Sequence, residues 1–466
     1  MLLQALCVLT YRRISFRLVC VRFLFHHLRA VLFVTLLLSG GIGTPFPARA
    51  GERPLEIETG ARRKVSMTAS PFLSLKAGLS TPKQIGQRLV QESPATAPSQ
   101  SLILGILGLK GPRMTFLAQN FKQPDISAEE IWHNTLFDSR TETGPSIRTA
   151  STGFLLDFFH FSLENQTSLP EADLPALTRT AFVAGTDTRA FPVPVDGFFS
   201  FRFNLQDTLE PLSLLRPPTA LPVRSNSAFF AQNPVMLETA FSAYTHSFGP
   251  DLHLSLIGGY LEEMYGGFGG ELLYRPFDSR FAVGAESWLA MKRDPLSALG
   301  TGFNGDRVLT GHLNGWYDLP AWDITLKGSL GQYLNTDTGG SLGFEKRFGL
   351  HALDAKLEGF VTLTDATDTD AFATALPPYN GLRLSVPLGG LPHVPHNTTI
   401  KAKLAPFGRD NGQRLDNPLP LYDLTEAFST RHLADHWSEI KDTSNENKTW
   451  LSPLLGYNQA HKVEIQ

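Results

Sequence analysis

The sequence predicts an all-β protein, specifically an antiparallel up-and-down β-barrel of the transmembrane type. Apolar and polar residues alternate along segments of about ten residues, and short connectors rich in Gly, Pro, Asn and Asp separate these segments. The composition combines 33 Phe and 40 Gly with only 18% charged residues. Membrane-spanning strands need roughly nine to eleven residues, whereas strands of soluble proteins average about five or six. A large soluble β-sandwich or propeller is the alternative that this periodicity leaves open.

Residues 1–50 predict a signal peptide. A basic stretch precedes the short apolar run Ala30–Leu38, and Ala48–Ala50 reads A-R-A, an A-x-A cleavage signal. Both cysteines, Cys7 and Cys20, lie in this segment, so no disulfide is expected after cleavage. Cleavage would remove six arginines and no acidic residue from a chain whose net charge is -3. The acidic remainder argues against nucleic acid as a partner.

Residues 51–215 predict a divergent N-terminal β region with two strong strands. These strands are Thr152–Glu164 and Asp196–Leu205. In the second, Phe199, Phe201 and Phe203 alternate with polar residues, as expected for a strand with one apolar and one polar face. The segments between these strands are less regular.

Residues 216–410 predict the main barrel region, which begins with the Pro-rich connector Arg216–Ser227. Alternation is clearest in Arg280–Lys292, Trp322–Leu334 and Ala352–Leu363. We expect roughly ten strands between Met236 and Ala405, in addition to several in the N-terminal half. Residues 411–466 form a polar tail that would suit a periplasmic position.

A glycine cluster, Gly266–Gly270, raises the possibility of a phosphate-binding loop. Such loops need a fixed glycine spacing and a following helix. Here Leu272 stands where a third glycine is required, and an alternating segment follows. We therefore predict that the cluster bends the chain between two strands, where glycine tolerates unusual backbone angles.

Three other motifs contain residue types that occur in functional sites. His432 and His436 could share one helix face and bind a metal, but a solvated helix face is the expectation. "RDNGQRL" (Arg409–Leu415) could bind anionic sugars or phosphates, but a surface loop is expected. The adjacent acids Glu262 and Glu263 would point to opposite strand faces and could not flank one glycosidic bond. The sequence therefore predicts no catalytic, cofactor-binding or metal-ligating residues, and no enzyme.

Several segments in series resemble one protein family. They are "PPTALPVRS", "GGYLEEMYGGFGGELLYRPFDSRFAVGAE", "TGHLNGWYDLP", "GQYLNTDTGGSLGFEKRFG", "GFVTLTDAT", "LRLSVPLGG" and "PFGRDNGQRL". Over about residues 217–424 the chain resembles the YjbH-like exopolysaccharide biosynthesis family. The resemblance implies an outer-membrane β-barrel of a Gram-negative envelope, linked to capsule and exopolysaccharide secretion, and it implies no catalytic residues.

The expected function is support of exopolysaccharide secretion as a conduit or scaffold in the outer membrane. Polysaccharide, outer-membrane lipid and periplasmic export proteins are the expected partners. An open lumen would favour the conduit and a filled one the scaffold. A soluble periplasmic binding or docking module is the alternative, followed by a glycan-active enzyme. Alternation assigns these polar residues to the lumen: Glu271, Arg275, Arg280, Glu286, Lys292, Asp323, Lys327, Asp354, Lys356, Glu358 and Arg383.

Overall fold

A computed structural model describes residues 72–74, 80–92, 99–117, 126–138, 159–187, 196–219, 221–350, 353–389, 394–395 and 397–442. The proposed signal peptide and residues 443–466 lie outside these ranges. The described residues form a closed β-barrel of 13 strands and a smaller four-stranded sheet. None of the helices described there is long and apolar enough to cross a membrane. The predicted all-β barrel is confirmed.

The ten strands expected between Met236 and Ala405 are present, and the N-terminal half supplies three more. The small sheet consists of the first four strands in the chain, between Phe72 and Asp138, so strand numbering in the barrel begins at β5. The barrel strands are β5 (Phe159–Ser168), β6 (Leu177–Asp187), β7 (Asp196–Asp207), β8 (Val235–Ser247), β9 (Leu252–Tyr260), β10 (Tyr265–Tyr274), β11 (Phe281–Arg293), β12 (Phe303–Leu319), β13 (Ile324–Gln332), β14 (Thr338–Leu350), β15 (Leu353–Thr364), β16 (Tyr379–Pro387) and β17 (Thr398–Leu404).

Consecutive barrel strands pair antiparallel, as an up-and-down meander requires, but the pair that closes the barrel is parallel. Strand β17 pairs with β5 from Thr398 opposite Phe161 to Leu404 opposite Thr167. Strand directions cannot alternate completely around a closed ring of 13 strands, so one neighbouring pair must be parallel. The expectation of a wholly antiparallel barrel therefore fails at this seam only.

The two ends of the barrel are named here from β5. End A is where β5 begins, and it holds the connections 248–251, 275–280 and 320–323. End B is where β5 ends, and it holds the connections 261–264, 333–337 and 365–378. Since β17 is parallel to β5, the last strand also runs from end A to end B.

The outer face of the barrel is apolar and the inner face is polar. Strand β13 shows the pattern, because Leu326 and Leu330 are exposed whereas Thr325 and Ser329 are buried. Strands of transmembrane barrels show the same alternation. We call the following exposed residues the outer belt: Leu163, Phe203, Leu256, Phe268, Leu272, Tyr274, Phe281, Val283, Leu309, Leu313, Tyr317, Leu326, Leu330, Leu342, Phe344, Val361, Leu363, Leu382, Leu384, Ile400 and Leu404.

The glycine cluster lies inside strand β10, so the predicted bend between strands is wrong. Gly266 to Gly270 all pair with residues of both neighbouring strands. Gly267 has a φ of 145°, and a Cβ there would lie 2.0 Å from the carbonyl oxygen of Leu289. At Gly269 a Cβ would lie 2.6 Å from the buried Trp288 ring. The glycines are needed because neighbouring backbone and an inward-facing indole approach β10 closely.

The smaller sheet consists of β1 (Phe72–Ser74), β2 (Ser99–Ile106), β3 (Leu109–Leu117) and β4 (Leu136–Asp138), in that order. Two helices accompany it, α1 (Thr81–Glu92) and α2 (Ala128–His133). The sheet contacts end A of the barrel, where the Lys110 amide donates a 2.9 Å hydrogen bond to the Ser247 hydroxyl. One continuous hydrophobic cluster joins this sheet to barrel residues such as Leu273.

Candidate functional site in the barrel interior

The most informative feature of the interior is the chain that follows the last strand. Residues 405–442, the C-terminal segment, leave β17 at end B and pass through the barrel to end A. Asn411 contacts Asn335 at end B, Arg414 contacts Glu286 on the inner wall, and Arg431 contacts Asp323 at end A. The segment then reaches the smaller sheet, where the Trp437 indole donates a 2.9 Å hydrogen bond to the Ala128 carbonyl.

The start of the C-terminal segment is fixed at end B by backbone hydrogen bonds to carboxylates. One oxygen of Asp410 accepts hydrogen bonds from the amides of Val223, Arg224 and Ser225 at 2.7–3.0 Å. The Gly412 amide donates a 2.7 Å hydrogen bond to Asp337. A carboxylate that accepts several amide hydrogen bonds is held strongly in place.

The surface loop predicted for Arg409–Leu415 is therefore wrong. Arg409 is only 2% exposed and pairs with Glu171 at 2.9 Å. A second carboxylate, Asp368, lies 3.7 Å away. Arg409 can be buried because carboxylates from distant loops neutralise its charge. The polarity of the neighbouring sequence does not indicate that such partners exist.

In the middle of the barrel, two predicted lumen residues hold the segment. Arg414 donates hydrogen bonds to Glu286 at 2.9 Å and to Asn314 at 2.8 Å. Glu271 accepts hydrogen bonds from the Asn417 side chain at 3.0 Å and from the Leu421 amide at 2.9 Å. Both glutamates are buried on the inner face.

At end A the segment forms the short helix α5 (Leu421–Thr425), preceded in the chain by α3 (Glu210–Leu215) and α4 (Ser227–Ala231). Arg275 donates hydrogen bonds to Glu426 at 2.6 Å and to the Tyr422 carbonyl at 2.8 Å. Arg347 pairs with the other Glu426 oxygen at 3.1 Å. Burial alone would raise the pKa of Glu426, but the charges of Arg275 and Arg347 hold it well below its usual range.

A second inner-wall network brings three more predicted residues together. Lys327 bridges Glu345 and Glu358 at 2.6 Å each, and Lys356 lies 3.5 Å from Glu358. Sequence reasoning missed Glu345 and its 3.1 Å partner Arg347. Alternation along β14 could have found both, because they stand two residues apart on the same face.

The remaining predicted lumen residues occupy different positions. Lys292 is buried and donates a 2.6 Å hydrogen bond to the Val223 carbonyl. Arg383 lies over the Phe360 ring, 5.0 Å from its centroid. Arg280 and Asp323 are exposed in the connections at end A. The side chain of Asp354 falls outside the described part of the structure.

The sequence analysis also missed an interior ion network on β5–β8. Arg202 pairs with Glu164 at 2.6 Å and with Glu238 at 2.5 Å. Arg202 stands between the half-buried Phe201 and the exposed Phe203 on β7, so the sequence pattern indicates that it points inward. Its acidic partners lie on strands 38 residues before and 36 residues after it, which alternation cannot pair.

These features define a class of protein, a closed β-barrel with an apolar exterior and a charged interior crossed by its own chain. The chain belongs to the YjbH family, whose model is described as "Exopolysaccharide biosynthesis protein YbjH" and matches residues 156–427. The recognition made from the sequence motifs is thereby confirmed. The matched region includes all 13 barrel strands and the C-terminal segment as far as Ala427.

A curated relative supports the same relationship. The chain is 34% identical over 227 residues to the "Uncharacterized lipoprotein YjbH" of Escherichia coli (strain K12). The alignment covers 48% of this chain and 32% of the relative. This chain therefore matches only about a third of the relative's length.

Proposed function

We propose that this protein is an outer-membrane β-barrel that supports exopolysaccharide secretion as a scaffold for the export machinery. The observation that carries the proposal is the combination of an outer belt of exposed apolar side chains with an interior that the C-terminal segment crosses from end to end. Membership of an exopolysaccharide biosynthesis family supports exopolysaccharide secretion as the process in which the protein takes part. The proposal involves no catalytic step and no cofactor.

The outer belt supports insertion into a lipid bilayer. Its members come from strands all around the barrel, from Leu163 on β5 to Leu404 on β17. Exposed aromatic residues, among them Tyr274 and Tyr317, lie near end A, where an interfacial girdle is expected. A soluble protein would expose so large an apolar area only at a cost in solubility.

The lengths of the connections support an orientation. The described connections at end A include the short segments 248–251 and 320–323, whereas end B carries 208–234 and 365–378. Bacterial outer-membrane barrels have short periplasmic turns and longer extracellular loops. End A, together with the smaller sheet, would then face the periplasm, where export proteins could dock.

The C-terminal segment that crosses the interior supports a scaffold rather than an open conduit. Ion pairs such as Glu286 with Arg414 and Arg275 with Glu426 join the inner wall to the C-terminal segment. Removing one partner of a buried pair costs about 3–5 kcal/mol. Several such contacts would keep the segment in place unless a partner protein displaced it.

The localisation is tested by membrane fractionation and a heat-modifiability gel. We expect the protein in the outer-membrane fraction, with a folded form that migrates differently from the boiled form. A soluble periplasmic protein without a heat shift would contradict the membrane barrel and favour the second-choice location. Unchanged exopolysaccharide export in a deletion strain would contradict the role in secretion.

A further inference from the structure

The inner faces of β16 and β17 carry three cations, and only Lys401 has an ion-pair partner among the described residues. Leu382, Leu384 and Ile400 are exposed on the outer face, so Arg383, Lys401 and Lys403 point inward. Arg383 is directly opposite Lys403 in the ladder between the two strands. Like charges directly opposite each other destabilise a sheet. This pairing therefore needs a compensating anion.

The nearest carboxylates of the wall are engaged elsewhere. Glu358 is the cross-strand partner of Arg383 on β15, but its oxygen lies 2.6 Å from Lys327. Glu164 pairs with Lys401 at 3.0 Å and also with Arg202. Among the residues that the structure describes, no carboxylate forms an ion pair with Arg383 or Lys403.

Asp416 of the C-terminal segment faces this basic wall without touching it. Its amide donates a 3.1 Å hydrogen bond to Glu262, while its side chain remains exposed to solvent. Arg383, Arg224 and Lys403 are the positive charges that act most strongly on the Asp416 carboxylate. Within the described residues, no cation is in ion-pair distance of this carboxylate. The exposed side chains of Asp416 and Lys401 therefore border an open space beside the wall, which we call the gap.

Two aromatic rings border the same gap. The ring centroids of Phe360 and Tyr379 are 5.3 Å apart, and the Lys403 ammonium group is 5.9 Å from the Tyr379 ring centroid. Tyr379 also lines a cavity of about 130 Å³ at end B, together with Asn411. A ring with an apolar body and a polar tip beside fixed cations suits a ligand that has apolar faces, hydroxyl groups and negative charge.

We infer that the wall formed by Arg383, Lys401, Lys403 and Tyr379 is a binding site for a glycan that carries carboxylate groups, such as uronic acid units. This inference rests on the proposed role in exopolysaccharide secretion and adds a substrate class to it. Asp416 occupies the electrostatic position of the sugar carboxylate in the ligand-free protein. Lipid headgroups are disfavoured as ligands because the site faces the interior.

The test is calorimetric titration of the full chain, folded in detergent micelles, in low-salt buffer. The probes are a hexamer of galacturonic acid and an uncharged glucose hexamer. We expect the acidic hexamer to bind and the neutral one to bind at least about tenfold more weakly, because charge-assisted hydrogen bonds are lost. Absence of binding by the acidic hexamer, or equal binding of both, would overturn the inference.

Variants locate the site within the barrel. Arg383→Gln combined with Lys403→Gln should weaken binding of the acidic hexamer by about tenfold or more. Lys346→Gln removes one positive charge from the outer face, beside Phe348, and should change affinity by less than about twofold. Asp416→Asn removes the internal competitor and should strengthen binding. A heat-modifiability gel confirms folding, and Lys403→Gln alone replaces the double variant if that variant does not fold.

Two outcomes separate this inference from the proposed function. If the double variant leaves binding of the acidic hexamer unchanged, or if Asp416→Asn weakens it, the glycan site is refuted. The membrane barrel and its role in secretion would remain supported. A deletion strain with normal exopolysaccharide export sinks the proposed function, whereas binding of the acidic hexamer would still establish the site.

Discussion

Replacing Glu426 by Gln tests how firmly the C-terminal segment is held inside the barrel. The side chains of Glu426 and Arg275 are only 11% and 9% exposed, so their ion pair is largely withdrawn from water. Removing one partner of a buried pair typically costs about 3–5 kcal/mol. Arg275 keeps its 2.8 Å hydrogen bond to Tyr422, and Arg347 keeps Glu345 at 3.1 Å. These contacts offset part of the loss, so we expect a destabilisation of about 2–3 kcal/mol.

The measurement is urea unfolding of the barrel in detergent micelles, followed by tryptophan fluorescence. Trp316 stacks on Tyr422 with ring centroids 4.6 Å apart, so it reports on the same part of the segment. The matched control is Glu129→Gln, whose side chain is 85% exposed and whose loss should cost less than about 0.5 kcal/mol. Equal stability of the Glu426→Gln and Glu129→Gln proteins would refute the reasoning.

Three further predictions concern the pH dependence of Glu426, the outer belt and the glycines of the strands. Because the pKa of Glu426 lies below its ordinary value of 4.5, its stabilising effect is complete above that pH and is lost on acidification. The wild type should lose stability below pH 4.5 more steeply than Glu426→Gln in urea midpoints measured across pH. Leu313→Arg in the outer belt should reduce barrel insertion into liposomes by about 2–4 kcal/mol, whereas Leu136→Arg in the smaller sheet should not. Gly267→Ala should abolish the heat-resistant folded band, because its Cβ would lie 2.0 Å from a carbonyl oxygen; Gly315→Ala, with nothing within 4 Å, should retain it.

The directions of many side chains could be predicted because a strand has a fixed period of two. Alternation placed Glu271 and Glu286 on the polar face, and both are buried on the inner wall. The same rule separated Arg202 from the phenylalanines of β7. Near the strand ends the rule has less force, since Arg280 and Asp323 lie in connections where the pleat has ended.

The path of the C-terminal segment could not be predicted. Residues 405–420 have no regular secondary structure, so no periodicity reveals which side chains are buried. The partners Glu171, Glu286 and Asn314 stand at least 100 residues away from Arg409 or Arg414. Asp368 is nearer in the chain but lies in a connection without a periodic pattern. A polar sequence such as Arg409–Leu415 looks like a solvated loop until these partners are known.

The glycine cluster shows a similar limit. The glycine spacing at Gly266–Gly270 argues against a phosphate loop, but the sequence could not distinguish a turn from a closely packed strand. That distinction depends on the Trp288 ring and the Leu289 carbonyl of the adjacent strand. Both residues are known to be neighbours only once the register of β10 and β11 is known.

The parallel seam between β17 and β5 has a consequence for how the molecule assembles. An odd number of strands makes the chain leave the barrel at the end opposite to the one where it entered, so residues beyond Leu404 must cross the interior to rejoin the smaller sheet. If the barrel closed first, the C-terminal segment would have to be threaded through it from one end. If β17 and β5 pair last, the C-terminal segment can pack against the inner face while the sheet is still open. Pairing along this seven-residue seam is then the final step of folding. Substitutions that weaken the pairing should leave an open sheet whose C-terminal segment is exposed.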